Sequence, residues 1–81
     1  MSLLTPMNAS TMFPVAWQRI EEEMDVARHA YDTTLAPVAA EVVMVEGEQM
    51  LEVAALTDIP ISDDEAGDGP MTMTFRAKLA A

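Results

Sequence analysis

His29 is the chain's one histidine, with Asp25 four residues before it and Asp32 three after. On a helix that spacing sets all three side chains on one face, a set able in principle to hold a metal ion or move a proton. It lacks the Glu-x-x-His pairs of di-iron bundles and the His-Glu-x-x-His of zinc proteases. The expected role is a surface imidazole ion-paired with its neighbours, with no metal. Asp63, Asp64, Glu65 and Asp68 invite a calcium reading. A calcium loop needs acids at alternate positions, a central glycine and a closing glutamate; here Gly67 and Gly69 fall elsewhere and no glutamate follows. Ser2, Ser10 and Ser62 sit in segments that read as arm or loop, and no Gly-x-Ser-x-Gly or phosphate-binding glycine loop is present. The expectation is a protein that is not an enzyme, with no cofactor and no small-molecule substrate.

Composition narrows what remains. Eighty-one residues make one domain at most, and a chain this short has a thin stability margin. Without cysteine it has no disulfide and no thiolate zinc site to staple it. The net charge of −10 argues against nucleic acid, which needs a basic footprint, and against anionic membrane surfaces. It suits a basic protein partner if there is one. No run approaches the ~20 apolar residues of a membrane span, and the uncharged start lacks the basic region of a secretory signal. With the absence of cysteine, this points to the cytoplasm. Eight methionines against four aromatic residues favour adaptable apolar contacts, either a small core or a binding surface.

The elements that would position these residues read as mainly α. Residues 1–13, with Pro6 and Pro14 around a polar cluster, predict an extended apolar arm that folds back or packs on a neighbour. Residues 14–35 predict a helix: Thr11 is the candidate cap, Pro14 lies in the first turn, and Trp17, Ile20, Met24, Ala27, Tyr31 and Leu35 make one apolar stripe. Glu21, Glu22, Glu23 and Asp25 precede Arg28 and His29, as the helix dipole prefers, and Pro37 is the expected stop. Residues 37–56 fit a second helix, with Val38, Val42, Val45, Gln49, Val53 and Leu56 along one stripe. The rival is a hairpin that turns at Glu46-Gly47-Glu48. The helix is preferred because the periodic run crosses Gly47. Residues 57–70 predict an acidic mobile loop. The tail, 71–81, alternates apolar Met71, Met73, Phe75, Ala77 and Leu79 with polar residues, which fits a strand; a short helix is preferred because no partner strand is secure.

The closing run Gly69-Pro70-Met71-Thr72-Met73-Thr74-Phe75-Arg76-Ala77-Lys78-Leu79 resembles the end of small helical proteins of alphaproteobacteria and their prophages. The likeness covers about a dozen residues, and its Thr-to-Lys spacing departs from the usual one. It implies a helical hairpin of unknown function and carries over no functional residues.

The expected architecture is therefore a helical hairpin, 14–56, with an N-terminal arm and an amphipathic tail, completed by self-association. Its expected interface comprises Trp17, Ile20, Met24, Tyr31, Val42, Met50 and Phe75. The expected function is a homo-oligomeric protein–protein interaction module. Two alternatives stand beside it: an acidic inhibitor or adaptor on a basic protein surface, and an accessory subunit of an enzyme or virion.

Overall fold

The structure, a computed structural model, describes residues 4–60 and 70–79, the side chains of 59, 60 and 70 excepted. Thr5 opens the first helix. Its hydroxyl accepts the Asn8 amide at 3.1 Å, and Pro6 enters the first turn, so a cap and a pre-set φ start α1, Pro6–Met12. Thr5→Ala should lower stability by about 1 kcal/mol in urea unfolding, with Thr5→Asn restoring most of it. Phe13 then serves two helices: its N–H donates to the Ala9 carbonyl and its own carbonyl accepts from Trp17, both at 2.8 Å. It is the N-cap of α2, Pro14–Tyr31, without a side-chain cap bond. Thr11, the expected cap, instead lies inside α1, its hydroxyl donating to the Met7 carbonyl at 3.3 Å.

The long helix buries Ala16, Ile20, Met24 and Ala27, four positions at three- and four-residue steps. It ends at Tyr31, earlier than expected, because Asp32 adopts the left-handed conformation with φ 52. The Arg28 guanidinium reaches past the break to the Leu35 carbonyl at 3.0 Å and ties the helix end to the first strand.

From Leu35 onward the chain is sheet. Strands β1, Leu35–Val45, β2, Glu48–Pro60, and β3, Pro70–Lys78, form an antiparallel meander in the order β1-β2-β3. Both helices lie on one face, α1 over β1 and α2 over β3 and β2. Between them sits the core: Ile20 and Met24 with Leu51, Val53 and Ala55 of β2 and Phe75 and Ala77 of β3. Outside the helices' end of the sheet, Thr33 and Asp58 bond reciprocally: the Asp58 amide donates to Thr33 Oγ1, and that hydroxyl donates to the Asp58 carboxylate.

The mainly-α helical hairpin is thus overturned: the fold is mixed, two helices on a three-stranded sheet. Residues 37–56 are the hairpin that was the rival reading. Glu46 and Gly47, at φ 51 and 84, make the two-residue turn whose twist matches antiparallel strands. The tail is a strand, because β2 supplies the ladder: Phe75 faces Val53 and Ala77 faces Leu51. The expected extended arm contains α1. Of the loop expected at 57–70, residues 57–60 and 70 are strand, and the rest lies outside the described residues.

Candidate interaction surface

The β1–β2 turn determines which backbone groups of β1 are left over. In an antiparallel pair, directly opposed residues alternate between exchanging two hydrogen bonds and exchanging none. The Gln49 carbonyl accepts from Leu79 N at 3.2 Å, so Gln49 turns its backbone toward β3 and away from its β1 partner, Met44. Met44 therefore points its own N–H and C=O outward, off the edge of the sheet. Counting by twos along the uninterrupted register, Val42 and Ala40 do the same.

Edges of sheets invite further strands, and proteins usually blunt them with proline, charge or bulges. The β3 edge begins at Pro70 and carries Arg76 and Lys78. The first part of β1 is blunted too, by Pro37 and by a bulge at Val38, which has no partner on β2. Residues 39–45 have neither device. They read Ala-Ala-Glu-Val-Val-Met-Val, with one charge in a chain of net −10. Among the described residues this is an edge stretch with neither proline nor bulge.

A groove runs beside it on the helical side, lined by Leu4, Asn8, Met12 and Phe13 from α1 and its flanks and by Ala40, Glu41 and Val42 from β1. Val42 is 40% exposed, Met44 64% and Met12 62%. Side chains at 40, 42 and 44 project toward the helices and the groove, while their amides face outward. A strand laid along this edge would hydrogen-bond to those amides and drop alternate side chains into the groove.

The sequence-predicted interface residues divide. Ile20, Met24 and Phe75 are buried in the core of this one chain, and Trp17 packs half-buried against it. Tyr31 is exposed at the end of α2. Met50 is half-buried and, two registers from Glu52, lies on the opposite sheet face. Val42 alone lines the groove. Ala40, Met44 and Met12 are not among the expected interface residues; for Ala40 and Met44 a near-chargeless run in so acidic a chain is a usable signal.

The chemical candidates fall apart by geometry. His29 Nδ1 lies 2.9 Å from the Asp25 backbone carbonyl, to which it donates, while the Asp25 carboxylate meets Arg28 at 3.3 Å. Asp32 is in the helix-terminating turn. Among the described residues no three metal-ligating side chains converge. Ser10 donates to the Met7 carbonyl at 2.7 Å, and Ser2, Ser62 and the acids 63–68 lie outside the described residues. The outer sheet face carries two ion pairs, Glu52 with Arg76 at 2.7 Å and Glu48 with Lys78 at 3.6 Å. Glu21, Glu22, Glu23 and Asp25 are exposed on α2. No described helix is long and apolar enough to cross a membrane. Comparison with protein-family models, with curated proteins and with solved structures finds no match.

Proposed function

We propose that the chain is a non-enzymatic protein–protein interaction module that takes an extended strand of another chain onto the edge of β1. The observation that supports this reading is the bare edge at residues 39–45, with its outward amides at Ala40, Val42 and Met44 beside an apolar groove. Strand addition draws affinity from main-chain hydrogen bonds and specificity from alternate side-chain pockets, and this edge offers both. A cytoplasmic setting belongs to the same reading, supported by the absence of cysteine. An accessory-subunit role would use this surface with a larger partner.

The second reading, an acidic adaptor on a basic protein, is favoured by the exposed carboxylates of α2. The two differ in salt dependence and in the residues that matter. Cross-linking and co-purification from the source cell should recover a partner whose binding survives half-molar salt and is lost on Met44→Lys, by tenfold or more in affinity. Met44 is exposed enough that this change should leave the fold, followed by circular dichroism, intact. Binding lost in high salt, or on reversing Glu21, Glu22 and Glu23 to lysine, and indifferent to Met44→Lys, would replace the first reading by the second.

A further inference from the structure

We propose that the strand completing β1 is β1 of a second copy of this chain, paired antiparallel about a two-fold axis at Val42. The proposal rests on the edge reading above and names its partner.

Three observations converge on a second copy. The first is charge. Two chains of net −10 repel, which keeps a second copy off the acidic faces, and residues 39–45, with one carboxylate, are where that repulsion opposes it least. The second is register. Ala40, Val42 and Met44 turn their amides outward, so a partner must bond at those positions. Centring on Val42 brings Ala40 of one copy opposite Met44 of the other, and Val42 opposite Val42, each pair exchanging two hydrogen bonds. Glu41 then faces Val43, so the two glutamates are not opposed. The pairing keeps the helices of both copies on the same side of one six-stranded sheet.

The third is volume. In this register a small residue faces a large one at both ends, Ala40 against Met44 and Ala39 against Val45. The groove lies over Ala40. The long, 64% exposed Met44 side chain of the second copy therefore enters the groove that Leu4, Met12 and Phe13 line. Methionine suits such an irregular slot. By symmetry the second groove is filled the same way, as an isologous contact requires.

The absence of cysteine makes the register directly testable. Opposed residues of an antiparallel pair have Cα atoms about 4.5–5.5 Å apart, within disulfide range. Ala40 and Met44 each lie about 14 Å from the same residue of the other copy, outside it. Under copper phenanthroline, Val42→Cys should give the covalent dimer. Ala40→Cys and Met44→Cys should each stay monomeric in denaturing gels, and their mixture should cross-link. The wild-type chain needs no substitution for the companion measurement: it should sediment as a dimer at tens of micromolar, and Met44→Lys should weaken association tenfold or more. A wild-type monomer at 100 μM, or equal cross-linking of all three single variants and of His29→Cys on α2, would overturn the second copy. If the monomer still binds another protein through Met44, the edge reading stands without it; if Met44→Lys changes nothing in either assay, both fall.

Discussion

Leu51→Ala should remove about 2–5 kcal/mol of stability. Leu51 is 0% exposed on the middle strand, opposite Val42 on one side and Ala77 on the other, in the cluster that holds Ile20 and Met24. Truncation leaves a void that neighbours on three elements must close, and a tightly hydrogen-bonded sheet closes it poorly. An 81-residue domain has on the order of 4–12 kcal/mol in total, so the variant should be partly unfolded at 37 °C. Urea unfolding checks this, and is best done with Met44→Lys as the common background, so that association does not add to the apparent stability. A midpoint indistinguishable from the parent would show that Leu51 is not the centre of the core.

Gly47→Val should cost about 1–3 kcal/mol, for a reason that has nothing to do with space. Nothing lies within 4 Å of where a Cβ would stand, yet φ is +84. A β-branched residue is strained there however open the surroundings. The neighbouring Glu46 holds φ 51 with an ordinary side chain. Glu46→Asn should therefore move stability the other way, by a few tenths to about 1 kcal/mol, since asparagine tolerates this region and suits the first position of the turn. Thermal unfolding of both variants tests the turn: opposite signs are expected, and a harmless Gly47→Val would mean that the hairpin closes differently.

The parts of the fold that were legible from residues are those with one buried side. Along α2 the buried positions recur at helical steps with charged residues between them, and the stripe reads directly. The middle strand has no such contrast. Leu51, Val53 and Ala55 face the helices while Met50, Ala54 and Leu56 lie on the other face, so alternation is erased and a helical template fits equally well. Gly47, which the apolar periodicity crosses, is the turn itself. The tail's alternation is plain, but a strand needs a partner, and a helix over 37–56 would leave it none. Helix α1 is short and polar at Asn8, Ser10 and Thr11; its signal was the Thr5-Pro6 pair, a cap before a first-turn proline. The candidate site suffered from the same displacement. Val42 lies on the stripe that a helix over 37–56 would present, and Met44 does not. Which residues form an edge depends on strand order, and strand order is long-range.

The blunting of β3 and of the first part of β1 has a consequence for assembly size. A sheet with two open edges adds copies without limit and grows as a fibre. Among the described residues β1 has an open stretch at 39–45, and joining it to its twin, as proposed, would use that stretch up on both sides. What remains at either end of the joined sheet is a strand that begins at Pro70 and carries Arg76 and Lys78. In the proposed dimer growth would stop at two, so a proline far from the contact would help a sticky strand yield a finite particle instead of a polymer.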